Sequence, residues 1–180
     1  IVLTTQAGLW SYFIGDIVRF IDTTPPRILM TGRTSYMLSA VGEHLIGEEL
    51  DRALLEAAEK TGLQIKEYSV GAVFPNTSSG LVGHQYVIEF VNTPSSEQVD
   101  KLISLTDSKL QEINEDYGAH QKNEFGLSPP KALVAKPGAF YEWMRSRGKL
   151  GGQNKVPRVI NKDEIFSNLV GFVTGYNVKE

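Results

Sequence analysis

Asp16 is the residue whose setting first suggests chemistry, because it is a carboxylate within an apolar run of the sequence. Its neighbours in the stretch 8–18 are mostly aromatic or aliphatic, which predicts a mostly buried sheet. A carboxylate buried there needs hydrogen-bond donors, since an unpaired buried charge is very costly. The hydroxyls of a ribose diol are one suitable set of donors. Arg19 or Arg33 at a strand end is the other, and the spacing alone favours such an ion pair.

A second candidate site lies in the basic, glycine-rich stretch 145–158, RSRGKLGGQNKVPR. Backbone amides beside Gly151 and Gly152, with Lys155 nearby, would suit a phosphate group. The stretch is not a Walker motif, because it has no Gly-Lys-Ser/Thr, and its composition alone favours a solvated connection. It also lacks interleaved aromatic residues and the net charge of the chain is −3, so we expect no nucleic-acid partner.

Metal and nucleophile chemistry find little support in the sequence. His44, His84 and His120 are far apart, without a metal-ligand partner at helical or turn spacing, which favours surface or packed imidazoles. No Gly-x-Ser-x-Gly nucleophile motif occurs, and residues 78–80 (SSG) are predicted to form a turn.

Composition limits the class of protein further. The chain has no cysteine, which excludes disulfides and thiolate chemistry, and no apolar run close to the roughly 20 residues that span a bilayer. We therefore expect a cytoplasmic protein without a membrane partner. The 180 residues allow one domain, or one domain and part of another, and the chain opens within a predicted strand without an initiator methionine. These features predict a fragment of a longer protein.

The elements that position the candidate residues change type near residue 32. Residues 1–31 are predicted to form strands at 2–5, 10–14, 17–21 and 27–31, separated by glycine and proline turn signals. From residue 37 the order β-α-β-β-α-β-α is predicted, with strands at 37–41, 65–74, 85–91 and 131–136 and helices at 47–60, from 95 or 96 and from 140. A last helix is predicted to follow at 163–170. Residues 114–123 are predicted to be a polar loop with some helix. This order predicts an α+β fold in which helices pack on one face of a small mixed sheet. We place the boundary at about Gly32, so residues 1–31 and 32–180 are separate units.

Two separated motifs agree with one known family. The stretches 3–16 (LTTQAGLWSYFIGD) and 151–158 (GGQNKVPR) resemble the acyl-acid amido synthetases of the auxin-responsive Gretchen Hagen family. The stretches 32–34 (GRT), 114–117 (NEDY) and 140–149 (FYEWMRSRGK) are similar to its bacterial branch in particular. The resemblance covers nearly all of the chain in the same order, so it is specific where each motif alone would be weak. The family is a branch of the adenylate-forming superfamily.

The resemblance implies a ligase reaction in two steps. ATP would activate a carboxylic acid as an acyl-adenylate, and the amine of an amino acid would then displace AMP to form an amide. By resemblance, Asp16 grips the ribose hydroxyls, and Arg33, Tyr12 and His44 belong to the nucleotide-binding set. Lys155 matches a late lysine that reaches the α-phosphate during adenylation.

The resemblance also implies how the chain is divided. Residues 1–31 would be the trailing strands of the β-subdomain of an N-terminal domain, and residues 32–180 a mobile C-terminal cap that swings about a hinge near Ser35. The family's phosphate loop, adenine pocket and acyl-acid pocket lie in that N-terminal domain, which is the expected partner and is absent from this chain. Mg²⁺ is expected with ATP, with its ligands outside this chain. Alone, the chain is expected to bind ATP poorly and to catalyse nothing.

Two positions depart from the family pattern. Ser11 stands where members often have arginine, and His44 stands at about the position of a nucleotide-contacting lysine in plant members. They favour the alternative hypothesis, a non-catalytic α+β module for binding or protein interaction that is derived from the same fold.

Overall fold

A computed structural model describes residues 1–75, 81–122, 126–152 and 154–178 of the protein. Its strands are β1 Val2–Leu3, β2 Tyr12–Phe13, β3 Asp16–Thr23, β4 Pro26–Arg33, β5 Ile65–Val73, β6 Gly83–Phe90 and β7 Ser128–Ala135. Its helices are α1 Gly47–Thr61, α2 Ser96–Ile113, α3 Glu115–Lys122, α4 Ala139–Ser146 and α5 Asp163–Val178. The turn predicted at residues 78–80 lies outside the described residues.

A three-stranded sheet in the order β5-β6-β7 organises the larger part of the fold. β5 and β6 form an antiparallel hairpin, and β7 adds to β6 in parallel, which makes the sheet mixed. The α+β class and the small mixed sheet are therefore confirmed.

The strand predicted at residues 37–41 is absent. The segment instead forms a turn closed by an isolated bridge between Leu38 and Leu45. Within the turn, the Glu43 carboxylate accepts hydrogen bonds from the backbone N–H groups of Ala40 and Val41, at 2.7 and 2.8 Å. These bonds take donors that a strand ladder would need, so the apolar run folds back on itself.

The prediction that the helices pack on one face of the sheet is wrong. Tyr86 and Ile88 of β6 belong to a core shared with α1 and α2, whereas Val87 belongs to a second core shared with α4 and α5. Successive side chains of a strand point to opposite faces, so the two cores lie on opposite sides of the sheet. The physical reason is that α4 and α5 carry apolar side chains of their own, among them Trp143 and Leu169, which are fully buried against this second face.

α1 lies within one residue of its predicted bounds, and α2 begins where the sequence predicts. α1 buries Leu50 and Leu54 and ends at Gly62, whose left-handed backbone (φ 70°) closes the helix. At the start of α2, the Ser95 hydroxyl accepts from the Gln98 N–H at 3.2 Å, while the Gln98 side chain accepts from the Ser95 N–H at 3.0 Å. Ser95 is therefore the N-cap, in a reciprocal capping box.

The last helix is longer than predicted, since α5 continues to Val178. It is held to α4 in part by a hydrogen bond of 2.9 Å from the Trp143 indole N–H to Asn168 Oδ1. Within the described part of the chain, none of the helices combines the length and apolar character needed to cross a bilayer.

Residues before the 3₁₀ turn Thr34–Tyr36 form two antiparallel ribbons, β1–β2 and β3–β4, separate from the main sheet. The mostly buried sheet predicted around Asp16 is not formed within the described residues, because large apolar side chains of the ribbons remain exposed. The most exposed are Val2, Trp10, Phe13, Phe20, Ile21 and Met30. β4 contacts α1, and Arg19 lies 3.6 Å from Glu48 at the start of that helix.

Replacing Gly71 with alanine should destabilise the fold, because a Cβ at this position of β5 would meet the buried Phe166 ring of α5 at 2.5 Å. We expect a loss of about 1–3 kcal/mol in the free energy of unfolding, as for other overpacked cores, measured by urea denaturation. Gly171→Ala is the matched control. Its Cβ would meet nothing within 4 Å in α5, so a gain of about 0.5–1 kcal/mol is expected. Equal effects of the two changes would contradict the close approach of β5 to α5.

Candidate functional site

Asp16 and Arg33 face each other across the β3–β4 ribbon, at the end where the ribbon joins the 3₁₀ turn. Arg33 Nε lies 2.9 Å from Asp16 Oδ1, and the Asp16 side chain is 14% exposed against 57% for Arg33. Among the described residues, Arg33 is thus the charged partner of the carboxylate, an ion pair of the kind that the spacing favoured. The antiparallel register places the two residues opposite each other although seventeen positions separate them.

The ion pair does not saturate the Asp16 carboxylate. Asp16 Oδ1 is buried yet receives no well-directed hydrogen bond, since the Arg33 contact is a close charge pair without the geometry of one. An ionised carboxylate offers about four acceptor sites on its two oxygens. The buried oxygen therefore retains capacity for a hydroxyl donor, such as one hydroxyl of a sugar diol.

Arg33 and Lys155 line one open cleft of about 600 Å³, here called the Lys155 cleft. Its other lining residues are Met30, Thr31, Gly32, Tyr36, Gly47, Glu48, Asp51, Val156, Pro157 and Arg158. Asp16 lines a neighbouring depression rather than this cleft, and its ion pair with Arg33 connects the two. A guanidinium from the ribbon and an ammonium from the far end of the chain thus share one surface, which suits an anionic ligand.

Tyr12 and His44 lie apart from this arrangement. Tyr12 is 52% exposed on the β1–β2 ribbon, opposite Leu3. His44 sits in a left-handed turn (φ 40°), where its Nδ1 lies 4.0 Å from Asp116 Oδ2. Of the described residues predicted for the nucleotide, the structure brings together Asp16, Arg33 and Lys155, but not Tyr12 or His44.

The segment that carries Lys155 is attached to the free edge of β5. The Val70 N–H donates to Arg158 O at 2.8 Å, and the Ile160 N–H donates to Val70 O at 2.9 Å, which forms a parallel bridge between Val70 and Val159. The Ser69 hydroxyl donates to Pro157 O at 2.7 Å. Residues 157–160 therefore extend the sheet by one short segment, and Lys155 stands just before its first bond.

A buried pair of His84 and Glu43 lies at the turn that bears His44, and sequence reasoning did not find it. His84 Nε2 lies 2.7 Å from Glu43 Oε1, with both side chains at most 1% exposed. Because an ionised carboxylate only accepts, Nε2 carries the shared proton, and the buried Nδ1 is left without a partner. Burial alone would raise the pKa of Glu43, but hydrogen bonds from His84 and from the Val41 and Ala40 N–H groups outweigh it and lower the pKa to about 2.

The described residues contain no group of three or more His, Asp or Glu side chains placed to hold a metal ion. His84 is one of the packed imidazoles predicted from the sequence, whereas His44 is exposed. The alternation of β6 places His84 and Tyr86 on one face, which is the only sequence signal for the buried pair. Its partner Glu43 is 41 positions away, beyond the reach of local patterns.

Comparison with known proteins gives a consistent picture. A sequence model of the GH3 family C-terminal domain matches residues 48–164. Indole-3-acetic acid-amido synthetase GH3.15 of Arabidopsis thaliana is 25% identical over 179 residues, which cover 91% of this chain and 29% of that protein. Indole-3-acetic acid-amido synthetase GH3.8 of Oryza sativa subsp. indica is 28% identical over 173 residues, covering 89% of this chain and 28% of that protein.

A solved structure has the same fold. The structure of the AtGH3.15 acyl acid amido synthetase in complex with 2,4-DB matches this chain with a TM-score of 0.72 at 24% identity, over 96% of this chain and 32% of that one. The chain thus spans less than a third of the length of each of these two curated relatives.

Glu43→Gln should destabilise the fold in a pH-dependent way. The pKa of Glu43 is lowered from 4.5 to about 2 by folding, so its stabilising contribution is complete above pH 4.5 and is lost as the pH falls toward 2. We expect the variant to be about 3 kcal/mol less stable near pH 7, and the difference to shrink by about half near pH 3. Urea unfolding of both proteins across this range measures the difference.

Glu59→Gln, an exposed change on α1, is the control and should alter stability little at any pH. A constant difference between Glu43→Gln and the natural chain from pH 7 to pH 3 would contradict an ionised, buried Glu43 carboxylate.

Proposed function

Since this chain belongs to the GH3 family, through its C-terminal domain, we propose that it is the C-terminal portion of an ATP-dependent acyl-acid amido synthetase. The complete enzyme adenylates a carboxylic acid and transfers the acyl group to the amine of an amino acid. The names of the relatives support this reaction class. The observation that carries the proposal is the shared cleft of Arg33 and Lys155, with Asp16 paired to Arg33 beside it.

In this proposal the ribbon holds the sugar of the nucleotide. The Asp16 carboxylate accepts hydrogen bonds from ribose hydroxyls, and its buried, unsaturated Oδ1 fits that role. Arg33 orients the carboxylate, while its half-exposed guanidinium faces the cleft. The pair thus presents a preorganised acceptor and a cation to one ligand.

Lys155 acts on the phosphate end. When bound, ATP supplies the electrophilic α-phosphorus and pyrophosphate as the leaving group. Lys155 is exposed at the cleft and has no ion-pair partner among the described residues, so its ammonium is available to an α-phosphate. A cation aimed there stabilises the negative charge that develops as the acid attacks and pyrophosphate departs.

The remaining parts of the proposal concern what lies around this chain. The exposed apolar side chains of the two ribbons support an N-terminal domain as the partner that covers them. We propose the division at about Gly32, with residues 1–31 belonging to that domain and residues 32–180 forming a cap that turns near Ser35. The acyl pocket and the ligands of Mg²⁺ would lie outside this chain. The cytoplasmic location and the bacterial branch stay predictions.

The alternative, a non-catalytic module, draws support from Ser11 and from His44, which is not among the residues that line the Lys155 cleft. The two relatives described above are named as synthetases, which supports the enzyme instead. We therefore retain the synthetase as the proposed function.

Lys155→Ala in the complete synthetase should slow adenylation selectively. Loss of the only charge we assign to the α-phosphate should reduce ATP–pyrophosphate exchange by about 100-fold or more, as for other lost transition-state donors. Amide formation from preformed acyl-adenylate should fall by less than about fivefold, because no pyrophosphate leaves in that step. Lys162→Ala, an exposed lysine outside the cleft, is the control. Equal losses in both half-reactions would contradict the role of Lys155.

Asp16→Asn should weaken nucleotide binding. Removing a charged acceptor for the ribose is expected to raise the KM for ATP by about 10-fold, with a smaller change in kcat. Asp22→Asn is a matched control, since Asp22 forms the same kind of cross-strand ion pair with Arg27, at 2.9 Å, at the opposite end of the ribbon. An unchanged KM for ATP in Asp16→Asn would contradict the proposed contact between Asp16 and the ribose.

A further inference from the structure

We infer that Arg158 is a positioning residue for adenylation, which anchors the segment carrying Lys155 to the edge of the sheet. This inference rests on the proposed function, because it assigns Arg158 an effect on Lys155 rather than on substrate. Arg158 is the last residue of the stretch 151–158, and the family resemblance assigns it no role.

The Arg158 side chain is held from several directions at once. Its Nη1 donates to Glu67 Oε1, and also to the backbone oxygen of Tyr68 at 3.2 Å. Its Nε lies 3.6 Å from Asp51 Oδ1 on α1. The guanidinium carbon also stands 4.6 Å from the centre of the Tyr68 ring. Two carboxylates, a carbonyl and an aromatic face therefore surround one planar cation.

The partners of Arg158 are themselves fixed. The Tyr68 hydroxyl donates to Asp51 Oδ1 at 2.5 Å, and Tyr68 is only 3% exposed. Burial, and then the adjoining Asp51 carboxylate, raise the pKa of Tyr68 well above its usual range, so the phenol stays a donor. Asp51 thus joins α1 to β5 through Tyr68, and Arg158 closes the same cluster from the Lys155 segment.

Arginine suits this position in a way that lysine does not. A guanidinium presents several donors in one plane and stacks on an aromatic face, whereas an ammonium is a compact point charge. The N–H groups of the Arg158 guanidinium face the Glu67 and Asp51 carboxylates, while its planar face stacks on the Tyr68 ring. A lysine would keep the charge but would lose the orientation of the anchor.

The contacts of Arg158 restrict the position of Lys155. Arg158 and Lys155 line the same cleft, three positions apart, so the anchor limits the position of Lys155 to within about 10 Å of the sheet edge. Toward the N-terminus the segment continues into Gly151 and Gly152, both with left-handed backbone, where the Cβ of a side chain would meet nothing within 4 Å. The contacts on the C-terminal side, centred on Arg158, therefore set where the Lys155 ammonium points.

The test uses Arg158→Gln and Arg158→Lys in the complete synthetase, each with and without Lys155→Ala. Both half-reactions are measured, together with hydrogen exchange of residues 155–160. Arg52→Gln is the matched control, since Arg52 makes an exposed ion pair with Glu56 on α1, at 3.1 Å, away from the cleft.

We expect Arg158→Gln to slow adenylation by about 30-fold while the KM for ATP changes by less than about threefold, in line with the cost of a misplaced group. Amide formation from preformed acyl-adenylate should change by less than about threefold. On the Lys155→Ala background, Arg158→Gln should slow adenylation by less than about a further threefold. The reason is that an effect exerted through Lys155 disappears when Lys155 is absent. Arg158→Lys should recover less than half of the lost rate. Exchange at residues 155–160 should accelerate in both variants and stay unchanged in Arg52→Gln.

Three outcomes would overturn the inference. Equal factors on the two backgrounds would show that Arg158 acts independently of Lys155, and equal losses in both half-reactions would show general damage to the fold. Unchanged hydrogen exchange at residues 155–160 in Arg158→Gln would show that Arg158 does not anchor this segment. The proposed function fails separately, if Lys155→Ala shows no selective loss of adenylation. The exchange data would then still decide whether Arg158 holds the segment.

Discussion

The burial of β6 on both of its faces is the constraint on which the rest of the fold depends. β6 is the middle strand of the sheet, and nearly every residue in it is buried. Tyr86 and Ile88 require α1 and α2 on one side, and Val87 requires α4 and α5 on the other. A single layer of helices would leave one of these faces in water, at a cost of about 25 cal/mol for each Å² of apolar surface exposed.

Because β6 lies in the centre of the sheet, the segment that carries Lys155 pairs with the outer edge of its neighbour β5. β5 pairs with β6 along one edge and accepts residues 157–160 along the other. A further attachment forms at β6 itself. Its Glu89 is 2% exposed, accepts from Lys66 Nζ at 2.6 Å and accepts from the Gly138 N–H at 2.9 Å at the start of α4. The sheet thus holds both ends of the stretch that carries Lys155.

Buried or half-buried charges recur wherever a loop must be held in one conformation. Glu43 and His84 secure the turn before α1, and Arg158 secures the segment after Lys155. Removing one partner of such a pair leaves a buried polar group without its partner, which is strongly destabilising. In this chain these pairs hold loops in one conformation, and the two apolar cores supply the hydrophobic stabilisation. The Asp16–Arg33 pair differs, since it leaves a buried oxygen with open acceptor capacity, as a ligand site would.

The sequence by itself determined the elements with strong local signals and the residues worth testing. The helix α1, the start of α2 at residue 95 or 96 and the strands β5 and β6 follow from short-range patterns. Asp16, Arg33 and Lys155 were identified by residue type and resemblance. Only the tertiary structure decided that helices cover both faces of the sheet, that Glu43 turns an apolar run away from strand pairing, and that Arg33 and Lys155 share a cleft. Asp51 and Arg158 lie more than a hundred positions apart in the chain and meet only through the packing of α1 against the sheet. Local preferences act over a few residues, whereas such long-range contacts form only where the cores bring distant segments together.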